Sequence, residues 1–281
     1  RIYGHFLHFT DFHPDRHYLP GASVKQLCHR MGKKDWMLDD DQSNAAGTLG
    51  TPLTKCDSPW SLINGTVDWV ARELVNKQGI DFVVWTGDSA RHDSDTRIPR
   101  ILSHIHASNR LAAELLLEKL PGIPIVPTIG NNDVYPHNLM EIGPNINLRG
   151  LLKAWHELIP EDQVHTFLEG KCGYFVREVI PDRLAVISLN TMFFYISNRI
   201  VDGCQKKSDP GSIQLIWLEH RLHELASRNM TAYVIGHVAP AALNYHPRCL
   251  KRYARLMRDW SGYPTVVLGQ MFGHSNVDHF F

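Results

Sequence analysis

The sequence lacks an uninterrupted apolar run long enough for a membrane-spanning helix. The best candidate, residues 184–197, is broken by Ser188, Asn190 and Thr191, whereas a spanning helix needs about 18 to 20 apolar residues. We therefore expect no transmembrane segment in this chain. The first strand-like segment follows only a few residues after Arg1. Any targeting segment is thus expected to have been removed or to lie outside the sequence.

An excess of charge of one sign is also lacking, because 29 Lys and Arg balance 29 Asp and Glu. Bulk charge therefore indicates neither a nucleic-acid-binding protein nor a membrane-surface protein, and any preference for anions must come from local clusters. We expect no nucleic-acid partner. Internal repeats, low-complexity tracts and linkers are absent too. Together with an apolar content of 43%, this favours a single domain over residues 1–281.

Cysteine is scarce, with 5 in 281 residues. This number excludes a disulfide-dense scaffold but is compatible with two bridges and one remaining thiol in an oxidising compartment. N-glycosylation sequons at Asn64 and Asn229 point the same way. Composition thus favours a lumenal or secreted location. The cysteines are Cys28, Cys56, Cys172, Cys204 and Cys249.

Short apolar runs alternate with amphipathic stretches, which is typical of an α/β protein with a largely buried sheet. A polar segment at about residues 14–60 has little periodicity and is predicted to form a long, lid-like loop. Strands are predicted at 5–11, 81–88, 123–133, 231–237 and 263–274, with a hairpin at 173–190 that turns at Pro181 and Asp182. Helices are predicted at 66–78, 98–119, 148–158, 211–229 and 248–260.

Side chains with chemical capacity recur where the predicted strands end. Ligands in open α/β sheets bind outside the carboxyl ends of strands, so these side chains are expected to converge. Any one of them alone is more often a turn, a helix cap or a hydrogen-bonded histidine. Their joint recurrence favours a shared site. They are Asp11, His13, Asp88, Asn131, His237, His274 and Asn276.

This mixture of carboxylate, amide and imidazole, without cysteine, suits divalent cations such as Zn, Mn, Co, Fe or Mg. The number of candidate ligands exceeds what one tetrahedral ion uses. Two ions about 3.5 to 4 Å apart that share one carboxylate would account for it and would activate a bridging hydroxide. Asp88 is the expected shared ligand.

The motifs "DFH", "GDSARHD", "GNND", "GHVAP" and "GHSN" resemble, in this order, those of the calcineurin-like metallophosphoesterase superfamily: DxH, GDxxxH, GNH[DE], GH and GHxH. Through "KCDSPW", "SDPGSIQLIWLE" and "GHSNVDHF" the chain is most similar to the acid-sphingomyelinase-like branch, and within it to the fungal endopolyphosphatases. The resemblance implies a four-layer αββα sandwich with a mixed central β-sandwich and flanking helices.

Two metal sites that share Asp88 are implied by the resemblance. Asn132 stands where the superfamily usually has a histidine; an amide cannot donate a full proton, although it can hydrogen-bond a phosphoryl oxygen. His92 matches the branch's own histidine and is the candidate proton donor. Asn276 also replaces a usual histidine, so His279 or water are alternative ligands. One ion is assigned to Asp11, His13, Asp88 and Asn276, and the other to Asp88, Asn131, His237 and His274.

The implied activity is internal hydrolysis of phosphoanhydride bonds in inorganic polyphosphate, in the vacuole lumen. A weakened acid function fits a departing phosphate better than an alkoxide. Arg91, Lys33 and Lys34 are the candidate substrate-binding residues, and the basic segments "CQKKSD" and "RCLKRYAR" would extend a track for a polyanion, although each alone is typical of a solvated face. A sphingomyelinase-like or nucleotide phosphodiesterase is an alternative, as is a catalytically dead metal-binding scaffold.

Cys28 and Cys56 match a disulfide of the branch and would tie down the lid-like loop. The pairing among Cys172, Cys204 and Cys249 is open, with Cys204 to Cys249 preferred.

Overall fold

The first sheet is parallel and aligns the ends of three strands. In the computed structural model, which describes residues 3–32, 45–169 and 172–277, it consists of β1 (Phe6–Phe9), β2 (Phe82–Trp85) and β3 (Ile125–Pro127), in that order. Phe9 pairs with Trp85, and Trp85 pairs with Pro127. The loops that follow these strands therefore leave the sheet at one edge. Lys33, Lys34 and His279 lie outside the described residues.

The second sheet is mixed and contains β4 (Phe175–Ile180), β5 (Leu184–Ser188), β6 (Thr231–Ile235) and β7 (Val267–Met271). The β4–β5 hairpin is antiparallel, and Asp182 in its turn has φ 55°. Strands β5, β6 and β7 are parallel. The predicted hairpin and its turn residue are thus present in the structure.

The sheets pack against each other between helices. The Phe6 and Tyr233 rings lie 5.4 Å apart, and Ser188 Oγ donates to Pro127 O at 2.7 Å. The helices are α1 (Trp60–Val70), α2 (Asn76–Gln78), α3 (Leu102–Lys119), α4 (Ile146–Ala154), α5 (Pro210–Ser227) and α6 (Pro247–Ser261). On the outer side of the second sheet, α5 packs on β6 and α6 on β7, while α3 packs against α1 and α4. The predicted α/β architecture is confirmed.

The predicted starts of α3 and α1 are wrong for local reasons, and α4 ends at Ala154 rather than at the predicted Leu158. Helix α3 begins at Leu102 rather than at Ile98: Pro99 disfavours helical backbone at Ile98, and Ile101, directly before the helix, is extended. Helix α1 begins earlier than predicted, at Trp60 after the extended Pro59, and continues through a π-helical turn (Ala71–Val75) into α2. None of the helices in the described ranges is long and apolar enough to cross a bilayer.

The described part of the 14–60 segment is fastened to the body of the protein. The Cys28–Cys56 disulfide, with its Cα atoms 5.7 Å apart, closes this segment on itself. His29 is buried between two carboxylates, with Nε2 2.5 Å from Asp15 Oδ2 and Nδ1 2.7 Å from Asp95 Oδ2. Because Asp95 belongs to the loop after β2, this contact connects the segment to the first sheet.

A buried carboxylate joins the loops after β2 and β3. Asp133 Oδ2 accepts from the backbone N–H groups of Asp88 and Gly130 at 2.8 and 2.9 Å. Its Oδ1 accepts from Ser89 N at 2.8 Å and from Asn109 Nδ2, on α3, at 3.0 Å. Burial and the nearby Asp88 carboxylate raise the pKa of Asp133, and these four donors stabilise its charged form.

Candidate metal centre

The predicted site residues lie on loops with unusual backbone geometry. Asp11, His13, Asp88 and His274 have φ values of 52°, 39°, 58° and 74°, in the left-handed region that costs a non-glycine residue on the order of 1–3 kcal/mol. Asp11 N donates to Gly87 O at 3.0 Å, and His13 N donates to Asp88 O at 3.1 Å. These bonds hold the loops after β1 and β2 side by side, so surrounding structure supports the strained conformations.

Glycines allow the loops to approach closely. A Cβ atom on Gly130 would lie 2.1 Å from Asp88 Oδ1, and one on Gly273 would lie 2.4 Å from Asp11 Oδ2. These glycines directly precede Asn131 and His274. The strand-plus-glycine pattern in the sequence therefore has a steric cause, because a larger residue would push the site residues apart.

Asp88 is at the centre of the arrangement. Its Oδ2 lies 3.5 Å from His13 Nε2 and 3.2 Å from His237 Nε2. Asp11, His13 and Asp88 offer ligand atoms within 4.8 Å of one another, and so do Asp88, His237 and His274. The two groups share only Asp88, which places its carboxylate where a ligand common to two ions would lie.

The Asn131 amide completes the second group. Its Oδ1 accepts from His237 Nε2 at 2.9 Å and from His274 Nδ1 at 2.8 Å. Its Nδ2 donates to His137 Nε2 at 3.1 Å, and His137 Nδ1 lies 3.3 Å from Asp93 Oδ1. His137 thus fixes which way the amide points. Sequence reasoning missed His137 and Asp93, which the folding of two loops brings together.

Backbone carbonyls orient the histidines. His13 Nδ1 donates to Ala90 O at 3.0 Å, and His237 Nδ1 donates to Thr86 O at 2.7 Å. In both rings this leaves Nε2 facing the carboxylates, as in histidines that bind a metal while a neighbouring group holds the other ring nitrogen.

The buried carboxylates favour the protonated, positively charged forms of His13 and His237. Burial opposes the charge of Asp88, but His237 and His13 outweigh it and hold the pKa of Asp88 well below its usual range. Burial likewise lowers the pKa of His13 and of His237, but Asp88 and Asp11 outweigh it and raise each pKa to about 9. The pKa of His274 falls to about 4 through burial and the charge of His237.

The residues present fit divalent cations. His13 Nε2 is buried and has no hydrogen-bond partner in the described parts of the chain, although it faces Asp11 and Asp88. Carboxylate oxygens, an amide oxygen and imidazole nitrogens are ligands for Zn, Mn, Fe and Co. A pair of cations would supply the positive charge that protons on the histidines otherwise supply.

His92 lies beside this centre. Its ring stacks on that of His13 at 4.0 Å, its Nδ1 donates to Asp57 Oδ1 at 2.7 Å, and its N–H donates to Asp57 Oδ2 at 2.7 Å. The side chain is 40% exposed. Asp57 follows Cys56 of the disulfide, so the fastened loop supplies the residue that orients His92. His13, Asp57 and His92 also form a third group of converging ligand atoms.

Asn132 is held between a carboxylate and a buried arginine. Its N and Nδ2 donate to Asp88 Oδ1 and Oδ2, each at 2.8 Å. Arg100 Nη1 donates to Asn132 Oδ1 at 3.0 Å and to Asn132 O at 2.9 Å, which turns Nδ2 towards Asp88. Arg100 Nε and Nη2 are buried without a hydrogen-bond partner among the residues described. No sequence pattern distinguishes Arg100 from its basic neighbours.

The remaining predicted residues lie at the margin of this centre or outside it. Arg91 is buried, and its guanidinium donates to the carbonyl oxygens of His92 and Ile98. These bonds hold the Arg91 guanidinium in place, and its contact with substrate stays a prediction. Asn276 is exposed and has φ 54°. The sequon residues are both exposed, Asn64 on α1 and Asn229 after α5.

The most informative relatives are fungal. The chain is 44% identical over 302 residues to a protein from Cryptococcus neoformans named endopolyphosphatase, and 43% and 36% identical to proteins of that name from Debaryomyces hansenii and Saccharomyces cerevisiae. The alignments cover 99%, 99% and 100% of this chain. Nearly the whole chain is thus similar in sequence to a part of each of these fungal proteins. The predicted resemblance to these proteins is confirmed.

The homology to endopolyphosphatases concerns a part of those proteins, because the alignments cover 44%, 38% and 41% of the three relatives. This chain therefore spans less than half their length. No protein-family model matches it. Among solved structures, a dimetal phosphatase from Danio rerio has 11% identity and a TM-score of 0.46, over 90% of this chain and 77% of that one, a likeness too distant to assign the fold.

Metal content tests the shared role of Asp88. We expect the purified chain to retain about two divalent ions after dialysis, Asn131→Ala to retain about one, and Asp88→Asn to lose both, because Asp88 alone belongs to both groups of ligands. Elemental analysis by mass spectrometry measures the stoichiometry, with Asn64→Ala on the exposed face of α1 as the control. Loss of a single ion from Asp88→Asn would contradict a shared ligand.

Proposed function

We propose that this chain carries the catalytic centre of a two-metal hydrolase that cleaves phosphoanhydride bonds within inorganic polyphosphate. The observation that carries the proposal is the buried Asp88 carboxylate common to two converging ligand groups, in a chain homologous over nearly its whole length to proteins named endopolyphosphatase. The two disulfides support an oxidising compartment. We place the enzyme in the vacuole lumen, reached through the secretory route.

Each of the two ligand groups would hold one metal ion. Asp11, His13 and Asp88 would hold one cation, with exposed Asn276 or water as a further ligand. When bound, the pair of divalent ions would activate water and neutralise phosphoryl charge. Two anionic side chains do not cancel the charge of two such ions, so the centre attracts phosphate. The second cation would be held by Asp88, Asn131, His237 and His274.

His92 is suited to give a proton to the departing phosphate. Because Asp57 accepts from Nδ1, the other ring nitrogen, Nε2, is left to exchange a proton with the leaving oxygen. The ring lies against His13, so this nitrogen belongs to the rim of the centre. We assign Asp57 the role of positioning His92.

Asn132 replaces a proton donor by a hydrogen-bond donor. One hydrogen of its Nδ2 is directed to Asp88, and we assign the other to a phosphoryl oxygen. Arg100 holds the amide in this orientation and places a buried positive charge behind it. This pair favours a substrate whose leaving group is itself a stable anion, as a phosphoanhydride provides.

The first test is substrate cleavage by the metal-loaded chain. We expect long-chain polyphosphate to be converted to intermediate lengths, as internal cleavage requires, and expect chelation to abolish the reaction and metal addition to restore it. Gel electrophoresis of the chains measures this. A chain that releases no shorter polyphosphate but rapidly hydrolyses a nucleotide diester or sphingomyelin would instead be a phosphodiesterase. Two bound ions with no activity on any of these substrates would indicate a scaffold.

His92→Ala tests the proton donor. We expect kcat for polyphosphate to fall about 100-fold or more, within the usual range for general acid catalysis, while the metal content stays unchanged. His156→Ala, at an exposed position after α4, is the control and should keep full activity. An unchanged kcat in His92→Ala would assign the proton transfer elsewhere.

A double-mutant cycle tests whether Arg100 acts through Asn132. We expect Asn132→Ala and Arg100→Ala each to lower kcat by about 10-fold or more, and Arg100→Ala to have little further effect when Asn132 is already Ala. Arg100→Lys should recover part of kcat because it retains the charge. Additive losses in the double variant, together with a parallel fall in melting temperature, would mean that Arg100 serves only the fold.

A further inference from the structure

Helix α6 presents an unusually basic surface. Five cationic side chains are exposed between residues 248 and 258, and the helix has no acidic residue in its first turn. They recur at intervals of three and four residues and so form one strip about 15 Å long. We call this strip the α6 basic face. It consists of Arg248, Lys251, Arg252, Arg255 and Arg258.

This placement of charge opposes the stability of the helix. Arg248 and Arg252, like Lys251 and Arg255, are like-charged pairs four residues apart, and each such pair costs a few tenths of a kcal/mol. Arg248 also lies in the first turn, where the helix dipole disfavours cations. Arg258 is paired with Asp259. A partner that supplies negative charge would offset these costs.

The opposite side of α6 is buried, which decides the kind of partner. Tyr253, Leu256 and Met257 lie in the core, and Tyr253 OH donates to Gln270 Oε1 at 2.6 Å. The helix therefore cannot turn an apolar face towards a lipid bilayer, as an interfacial amphipathic helix does. Only its charged side is available, so a hydrophilic polyanion fits it better than a membrane.

A buried disulfide ties a second lysine-bearing segment to the first turn of α6. Cys204 is bonded to Cys249 in the first turn of α6, with the Cα atoms 5.1 Å apart. The segment that follows Cys204 carries Lys206 and Lys207, which are both exposed, and Lys206 N donates to Asp209 Oδ2 at 2.6 Å. The "CQKKSD" and "RCLKRYAR" segments are thus covalently held together.

The first turn of α6 is connected to the metal centre. His246, just before the helix, donates its N–H to Phe194 O at 2.8 Å, and Tyr245 pairs with Tyr195 in a β-bridge. The Tyr195 ring lies edge-on to the His274 ring at 5.3 Å. One short chain of contacts therefore leads from a candidate metal ligand to the start of α6, and the helix runs from there back along the second sheet towards the start of β7.

We infer that the α6 basic face, with Lys206 and Lys207, binds the part of a polyphosphate chain that extends beyond the cleaved bond. The inference rests on the proposed function and adds a surface for a linear inorganic polyanion outside the metal centre. Such a surface would make the enzyme prefer long chains, since a short substrate fills the centre without reaching α6.

A charge-matched pair of variants tests the inference. One variant carries Arg248→Gln, Lys251→Gln and Arg255→Gln, which leaves in place the Arg252 contact with Ser212 and the Arg258 contact with Asp259. The control carries Arg110→Gln, Arg149→Gln and Lys153→Gln, exposed positions on α3 and α4. Both variants lose three positive charges, so a difference between their affinities for polyphosphate depends on where the charges lie and not on how many are lost. Melting temperatures check that both fold.

Binding is measured by fluorescence anisotropy with labelled long-chain polyphosphate, in a metal-loaded His92→Ala background that slows cleavage. We expect the α6 variant to raise Kd about tenfold or more and to lower the salt dependence of log Kd by about two to three, given about 0.7 to 0.9 per released counterion for nucleic acids. The control should change neither quantity comparably. In the active background, KM for long chains should rise while kcat/KM for tripolyphosphate stays the same.

Equal Kd values and salt slopes for the two variants would overturn the inference. So would equally tight, equally α6-dependent binding of phosphatidylserine vesicles or of RNA, which would make the surface a general anion site. If the unmodified chain cleaves no polyphosphate but the α6 variant alone loses polyphosphate binding, the proposed function fails while the binding surface stands. If the chain cleaves polyphosphate and the α6 variant binds it as tightly as the control variant does, the proposed function stands and the binding surface fails.

Discussion

The structure depends on keeping one carboxylate charged in a place from which water is excluded. Asp88 is 2% exposed, and burial of an unpaired carboxylate would cost several kcal/mol. The surrounding groups remove this cost in three ways: Asn132 donates two hydrogen bonds, two imidazoles supply positive charge, and Asp133 fixes the backbone N–H of Asp88 itself. A divalent ion would supply the positive charge that the protons supply in this arrangement.

The register of the two sheets supplies the rest of that environment. Trp85 pairs with both Phe9 and Pro127, so the loops after these three strands begin at the same edge of the first sheet. Strands β6 and β7 end together in the second sheet, where Ile235 pairs with Met271, and deliver His237 and His274. The short distances between these loops require glycine at two positions and left-handed backbone at several others. Local strain is tolerated because the sheets fix the loop ends.

Much of the fold and of the metal centre could be predicted from the sequence. The contacts that could not be predicted have a common cause. Strand ends followed by Asp, Asn or His predict the centre, since those contacts follow from the strand order and from motifs with fixed spacing. Asp57, Arg100 and His137 act through loops whose paths no periodicity describes, and each matters only through the side chain that it holds. The start of α3 differs from the apolar periodicity because the backbone at Pro99 and at the extended Ile101 does not continue the helix.

The balanced composition conceals a division of charge that suits a long anionic substrate. With two cations bound, a centre with two carboxylates would be small and net positive, so it would hold only a few phosphates at once. We assign the cations on α6, and those on the segment tied to it by Cys204, to phosphates outside that centre, where they would not assist the reaction itself. If they bind the distal chain, they contribute uniformly to the ground state and the transition state, and so lower KM without changing kcat. The metal centre would then cleave the bond, and helix α6 would select for long chains. The net charge of zero reveals neither function.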